Sequence, residues 1–143
     1  MSFCASIQTL RRGGREYTRV GFPLAVLDGQ EERSHPFLFD TGCAMTTVSE
    51  DVAALLGLPA GGTSIGVGAA IGSARGRIVD VDFRFPPDAI SEAEDDPDSA
   101  RWIVVDGRRG VALLCFLDVH RRFTISADDD TMYFASRPLD PEE

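Results

Sequence analysis

Short apolar stretches with the periodicity of β-strands run along most of the chain, separated by turns that are rich in glycine or charged residues. The clearest is residues 77–85, where aspartate or arginine alternates with a set of apolar residues: Val79, Val81, Phe83 and Phe85. A strand with one buried face has this period of two. Further stretches of strand-like composition are residues 3–10, 16–27, 101–105, 123–126 and 131–134. The pattern predicts a mainly β protein.

One apolar stretch ends in an acidic residue. Residues 37–39 are Phe-Leu-Phe and run directly into Asp40, after which Thr41 and Gly42 break the run. This predicts a buried strand that ends at Asp40. A carboxylate in that position is costly unless it is hydrogen-bonded or paired, so we expect it to have a function. Thr41 offers a hydroxyl, and Gly42 allows the backbone to turn and to approach a ligand or another chain closely.

The chain after this loop predicts a second strand and then a short helix. Thr46, Thr47 and Val48 return to β-type composition, and residues 49–59 have helical features. Either Thr47 or Ser49 can cap the helix, and acidic residues follow at its positive end. Gly57 is expected to end it. The predicted layout is therefore buried strand, Asp-Thr-Gly loop, second strand and short helix.

This layout resembles the retropepsin-like aspartic protease family, the single-lobe relatives of pepsin. The resemblance is strongest over residues 37–59, where the Asp-Thr-Gly loop is followed by Ala-Leu-Leu-Gly-Leu-Pro at 54–59. It implies a closed, barrel-like β lobe with one or two short helices. It also implies that Asp40 is catalytic, that Thr41 braces the catalytic loops through hydroxyl-to-backbone hydrogen bonds, and that Gly42 leaves room for a peptide main chain.

The chemistry of that family requires two carboxylates that share one proton. This chain has about half the size of the two-lobed enzymes and no internal repeat. The resemblance therefore implies a symmetric homodimer in which Asp40 faces its own copy across a two-fold axis. Flaps would lie on that axis, and the chain termini would contribute to the interface. The expected activity is an aspartic endopeptidase acting on peptide or protein substrates, with no metal and no cofactor.

Residues 61–72 contain five glycines among small and apolar residues. A strand follows rather than a helix, so the stretch is not a dinucleotide-binding motif. The resemblance places Gly66, Val67, Gly68 and Ala69 near the flap, which closes over bound peptide and donates backbone hydrogen bonds. An ordinary hairpin loosened by glycine is the alternative. Side chains expected from position to line the substrate pocket are Ala44, Met45, Val67 and Ile71.

Residues 111–117 form a continuous apolar run and predict a strand, followed by one helical turn over residues 118–123. In the family, a late strand with two apolar residues and a glycine passes beside the catalytic loop. Leu113 and Leu114 match the apolar pair, but Cys115 stands where the family has glycine. This departure implies either a displaced loop or a cysteine that fills the space beside Cys43.

Two segments are expected to lie outside the core of what is predicted to be a single domain over residues 1–143. Residues 86–100 hold six acidic residues and three prolines and no basic residue, which is typical of a solvated or disordered loop. An acidic lip that selects basic peptides is the alternative. Residues 136–143 are expected to form a frayed tail.

Charge and composition exclude several classes of partner. The net charge is −9 and all 14 basic residues are arginine, so binding to nucleic acid or to an anionic membrane is not expected. No apolar run approaches the length of a membrane span, and the first residues do not resemble a signal peptide. We therefore expect a cytoplasmic protein.

The sequence leaves two other functional interpretations open. Cys115 and His120 could in principle form a thiol–imidazole pair of the kind that cysteine hydrolases use. Alternatively, the chain could be a non-catalytic retropepsin-like domain that binds peptides or acts as a scaffold, and Cys115 supports this reading. The intact Asp-Thr-Gly loop argues against it, because a structural domain does not need a buried, mutually repelling carboxylate. Three scattered cysteines and two histidines, with no Cys-x-x-Cys pair, do not have the spacing of a structural zinc site.

Overall fold

The computed structural model describes residues 2–69, 72–86 and 97–137. The described residues are mainly β-strand, as predicted, with two short helices. The strands are β1 (Ser2–Arg12), β2 (Arg15–Asp28), β3 (Glu31–Asp40), β4 (Thr47–Ser49), β5 (Thr63–Ala69), β6 (Gly72–Arg84), β7 (Asp98–Val105), β8 (Ala112–Cys115), β9 (Phe123–Ala127) and β10 (Thr131–Ser136). The helices are α1 (Glu50–Leu55) and α2 (Phe116–His120).

Six of the strands close into a ring. Strands β6, β7, β4, β8, β3 and β2 are neighbours in that order, and a second pairing between β6 and β2 joins the two ends. From β2 the sheet continues outward through β1, β10 and β9. Most pairs are antiparallel, but β3–β8 and β4–β7 are parallel. The parallel pairs bring the end of β3 against a strand from the last third of the chain.

Aromatic side chains fill two connected parts of the core. Trp102 is fully buried between Phe37 and Phe83, with ring centroids 5.3 Å away in both cases. Beneath β1, β9 and β10, a second group of rings packs face-to-face and edge-to-face around Phe3, which stacks on Phe134 at 4.5 Å. Such pairs add about 0.5–1.5 kcal/mol each beyond the area they bury. This packing fixes the strands that carry the Asp-Thr-Gly loop.

The predicted strand over residues 111–117 is wrong at its C-terminal end. Strand β8 stops at Cys115, and Phe116 and Leu117 begin α2. An apolar run of this length does not by itself distinguish a strand from a buried helical turn. The side chain of Leu117 also faces outward and is 60% exposed, so the run is not buried throughout its length.

The first hairpin is longer than its sequence suggested. Strands β1 and β2 continue to Arg12 and Arg15, and only Gly13 and Gly14 form the turn, both with positive φ.

At the other end of the chain, Ser136 belongs to β10 and the backbone N–H of Arg137 donates to Arg122 O at 2.9 Å. Strand β7 already begins at Asp98. The rest of the acidic segment (87–96) and of the tail (138–143) lies outside the described residues.

Candidate active site

Asp40 is the last residue of β3 and is half-buried. The parallel pairing with β8 matches Leu38 with Leu113, and two residues later it matches Asp40 with Cys115. The prediction that the late apolar strand runs beside the Asp-Thr-Gly loop is confirmed. The pairing continues regularly to Cys115, so the cysteine in the place of glycine does not break the contact between the two strands.

The loop folds back on its own carboxylate. The backbone N–H of Gly42 donates to Asp40 Oδ1 at 2.8 Å. The thiol of Cys43 donates to the carbonyl oxygen of Asp40, with an Sγ–O distance of 3.3 Å. A Cβ atom on residue 42 would lie 3.3 Å from Asp40 Oδ1, which is tighter than ordinary contact. Glycine therefore allows the backbone to approach the carboxylate closely enough to hold it.

The far end of the loop is anchored by a buried polar network that the sequence analysis did not identify. The hydroxyl of Thr46, which is fully buried, donates to Asp118 Oδ2 at 2.6 Å. The same Thr46 oxygen accepts a hydrogen bond from the backbone N–H of Cys115 at 3.1 Å. Arg121 pairs with the other carboxylate oxygen of Asp118. One hydroxyl thus joins the loop to both β8 and α2.

The two remaining predicted residues of the loop lead into a cleft. Ala44 is exposed and Met45 half-buried, and both line a cleft of about 650 Å³. Its apolar wall also includes Cys115 and Leu117, whereas its charged residues are Asp80, Arg101, Asp118 and Arg121.

Thr41 is exposed, and its side chain has no hydrogen-bond partner among residues 2–69, 72–86 and 97–137. Its predicted bracing role would therefore need a partner outside the described residues.

A second cleft, of about 690 Å³, lies along β2, β3 and β8. Leu38 and Leu113 form part of its floor, and Arg19 lies in its wall. Leu38 stands two residues before Asp40, so their side chains leave the same face of β3. Asp40 is therefore the next side chain after Leu38 on the face of β3 that borders this second cleft. Ala44 and Met45, which follow Asp40 in the chain, line the first cleft.

The predicted flap residues belong to a strand that is not hydrogen-bonded to this loop in the described structure. Gly66, Val67 and Gly68 belong to β5, which pairs only with β6 among the described strands. Ala69 ends β5 opposite Gly72, and Ile71 lies outside the described residues. Among the described residues, no hydrogen bond joins β5 to the Asp40 loop.

The two thiols beside the loop are poor nucleophiles. Burial, reinforced by the negative charge of Asp40, raises the pKa of Cys43 to about 12. Burial also raises the pKa of Cys115. The ring of His120 stacks on Phe116 at 5.0 Å and lies 3.0 Å from the guanidinium of Arg137, and it makes no hydrogen bond to Cys115 in the described structure. The thiol–imidazole pair considered from the sequence is therefore not assembled here.

Neither a metal cluster nor a membrane-spanning helix occurs in the described part of the chain. Among residues 2–69, 72–86 and 97–137, no three His, Cys, Asp or Glu side chains lie where they could jointly hold a metal ion. None of the described helices has the length and hydropathy needed to cross a membrane.

Comparison with known proteins links the fold to one family. The chain is similar to a solved retropepsin-like aspartic protease from Rickettsia conorii, with a TM-score of 0.60 and 12% sequence identity. The match covers 94% of this chain and 90% of that one. No family model matches the sequence, and no curated protein matches it. At this identity the similarity establishes a retropepsin-like fold and leaves the activity to be argued from the site.

Proposed function

We propose that the protein is an aspartic endopeptidase that works as a symmetric homodimer. In this dimer, a water molecule lies between Asp40 and its copy and attacks the peptide bond. The observation that carries the proposal is the position of Asp40, which is half-buried at the end of a core strand and held by a 2.8 Å hydrogen bond from Gly42. The retropepsin-like fold, matched over 94% of this chain, supports the same conclusion.

The need for a second copy follows from the polar groups around Asp40. Of the acidic side chains in the described residues, Asp118 is the one that is buried. Its two oxygens already accept hydrogen bonds from Thr46 and Arg121. It is therefore not free to share a proton with Asp40. A two-fold axis beside the loop supplies an identical carboxylate without any further residue of this chain.

The mechanism depends on the repulsion between two close carboxylates. They cannot both ionise cheaply, so the pair holds one proton. The ionised member accepts a proton from the bound water, and the protonated member donates a hydrogen bond to the scissile carbonyl oxygen. Thr41, which is exposed at the loop surface, would donate across the axis to the partner loop. Gly42 leaves space for the substrate backbone next to the carboxylates.

The test compares Asp40→Asn with Asp82→Asn, an exposed aspartate on β6, on a mixed peptide library at mildly acidic pH. We expect Asp40→Asn to abolish cleavage and to leave the unfolding midpoint unchanged or slightly raised, because the repelling charges are removed. We expect Asp82→Asn to cleave like the wild type. Cleavage that survives Asp40→Asn would refute the proposal.

A non-catalytic peptide-binding or scaffold domain is the second candidate, and Cys115 in the place of the family's glycine favours it. The same library separates the two. A wild-type protein that binds labelled peptides, measured by fluorescence polarisation, but releases no fragments at any acidic pH would support the second candidate.

A further inference from the structure

The hairpin formed by β1 and β2 extends well beyond the body of the protein. Every residue from 8 to 19 is exposed, although the strands remain paired up to Arg12 and Arg15. Val20, which pairs with Ile7, is the first buried residue at the base. We refer to residues 8–19 as the arm.

The pairing register shows in which direction the arm extends. Gly21 of β2 lies opposite Leu38 of β3, and the two strands are antiparallel. Continuing that register places Arg19 level with Asp40, where β3 ends. The remaining residues of the arm therefore extend past the end of the sheet that carries the Asp-Thr-Gly loop. This is the end at which the proposed dimer would bring in the second Asp40.

The arm has features that are typical of a surface in contact with another protein surface. A two-stranded hairpin without further packing is only marginally stable in water. Leu10 and Tyr17 are cross-strand partners on the arm, and they are 40% and 50% exposed. They place an apolar pair on the exposed part of the hairpin. Contact with another surface would stabilise both the pair and the hairpin.

The arm is also basic in an acidic protein. It contains four arginines and one glutamate, a net charge of +3, while the whole chain carries −9. Arg19 donates to Gln8 at 2.9 Å. Arg11, Arg12 and Arg15 form no ion pair within the described parts of the chain. The arm therefore presents unpaired positive charge next to its apolar pair.

Unpaired negative charge lies at the base of the arm. The backbone N–H of Ile7 donates to Asp130 O at 2.8 Å, which fixes the β9–β10 turn beside the arm. We refer to residues 128–130 of this turn, all aspartate, as the acidic turn. The carboxylate of Asp128 is occupied by two backbone N–H groups and by Tyr133. The carboxylates of Asp129 and Asp130 have no partner among the described residues.

Among the described residues, no arginine of the arm pairs with the acidic turn of its own chain, because Arg19, at the base, donates to Gln8 and the other three lie farther out. Arg11 lies four residues beyond Ile7, or about 13 Å along the strand at the usual rise of about 3.3 Å per residue. Arg12 and Arg15, at the tip, lie still farther away. A second copy related by a two-fold axis would instead present its acidic turn to this arm and receive the first copy's turn in return.

We propose that the arm docks on a second copy of this chain, with Arg12 and Arg15 over the acidic turn of the partner subunit and with Leu10 and Tyr17, which leave the same face of the hairpin, packed against that subunit. The proposal rests on the dimer of the proposed function. It adds the surface that holds the two subunits together outside the catalytic loops. Opposite charges speed association and set orientation, while the apolar pair contributes burial.

The test measures the dimer dissociation constant by sedimentation velocity for four proteins. These are the wild type, the charge variant Arg12→Gln/Arg15→Gln, the apolar variant Leu10→Ser/Tyr17→Ser and the control Leu55→Ser. Leu55 is a suitable control because it is a solvent-facing leucine on α1, with 66% exposure against 40% for Leu10. We expect both arm variants to dimerise at least about tenfold more weakly, a loss of about 1.4 kcal/mol, and the control to match the wild type.

Salt gives a second readout. Raising the ionic strength should weaken the wild-type dimer more than the dimer of the charge variant, because exposed charges are screened. Since every altered residue is exposed, the variants are expected to fold, and thermal melting checks this. A wild type that is monomeric at all concentrations, or arm variants that dimerise like the wild type, would overturn the proposal.

These measurements distinguish a failure of the arm proposal from a failure of the proposed function. If Asp40→Asn dimerises normally and the arm variants do not, the arm proposal holds whether or not the wild type cleaves peptides. If the wild type cleaves and dimerises and the arm variants do both equally well, the peptidase proposal stands and the arm proposal fails.

Discussion

Thr46 and Asp118 are 72 positions apart in the chain, and the hydroxyl of Thr46 donates a 2.6 Å hydrogen bond to the Asp118 carboxylate. Both side chains are buried. A buried hydrogen bond to a charged acceptor is worth more than an ordinary one, and a charge that loses its donor is costly. This single contact joins the end of the Asp-Thr-Gly loop to α2.

The first prediction follows from this contact. Thr46→Val keeps the shape of the side chain and removes the hydroxyl, so Asp118 and the N–H of Cys115 each lose a partner. We expect the free energy of unfolding to fall by about 1–3 kcal/mol. Urea denaturation measures this change. Thr46→Ser retains the hydroxyl and should recover most of the loss, and equal destabilisation by both substitutions would contradict the role given to the hydrogen bond.

The second prediction concerns the contact of Gly42 with Asp40. An alanine here places its Cβ 3.3 Å from Asp40 Oδ1. The carboxylate or the loop must shift, and a small displacement of a reacting group reduces catalysis strongly. We expect Gly42→Ala to lower kcat/KM by about a hundredfold with little change in the unfolding midpoint.

Gly61→Ala is the matched control for that experiment. Gly61 has no positive φ, and a Cβ there meets nothing within 4 Å. The substitution should leave cleavage unchanged and stability equal or slightly higher, because alanine restricts the unfolded chain. If Gly61→Ala impaired cleavage as much as Gly42→Ala did, the close approach to Asp40 would not be the cause.

The third prediction is that the two thiols at the site are unreactive. The raised pKa values of Cys43 and Cys115 keep both thiols protonated at neutral pH, whereas Cys4 is exposed. Because the thiolate is the reactive form, iodoacetamide at pH 7.5 should alkylate Cys4 alone in the folded protein. Mass spectrometry of digested samples locates the label.

Cys4→Ser is the control for the labelling experiment, since the folded variant should take up no label and the denatured variant should take up two. Cleavage activity should be unaffected by the reagent. Rapid alkylation of Cys115 together with loss of activity would instead favour thiol catalysis.

The fourth prediction concerns pH. Hydrogen bonds and charge attraction from Arg77 lower the pKa of Glu50 below its ordinary value. In the range just below that ordinary value the unfolded chain binds more protons than the folded one, so the contribution of Glu50 to stability is present at neutral pH and is lost on acidification. We therefore expect the melting temperature to fall as the pH drops below about 4.5.

Glu50→Gln tests whether this carboxylate is responsible. The variant should be less stable than the wild type at pH 7, and the difference should shrink as the pH falls. Thermal melts at several pH values between neutrality and pH 3 measure it. A difference that stays constant over that range would assign the acid sensitivity to other carboxylates.

Local features of the sequence were sufficient to predict several elements. The apolar run into Asp40 gave the strand end, since a buried strand needs such residues and the loop residues that follow break it. The alternation over residues 77–85 predicted the buried face of β6, where Val79, Val81 and Phe83 are indeed in the core. Gly57, with φ of +70°, ends the turn after α1 as expected.

Other features have no local signal. Thr46 and Asp118 look like ordinary strand and helix residues, because the partner of each lies in a distant part of the chain. The sequence predicted strands over residues 3–10 and 16–27, and only the pairing register showed that the arginines between them belong to paired strands that extend past Asp40. Likewise, the apolar run over residues 111–117 did not reveal where β8 gives way to α2.

The sequence by itself determined where most of the strands lie, where the Asp-Thr-Gly loop lies and that Asp40 ends a buried run, because short-range periodicity and turn chemistry are local properties of neighbouring residues. The tertiary structure alone decided what surrounds that carboxylate: the parallel strand β8 beside it, the buried Thr46–Asp118 bond behind it and the basic arm beyond it. These depend on contacts between residues far apart in the chain, which form only when the ring of strands closes.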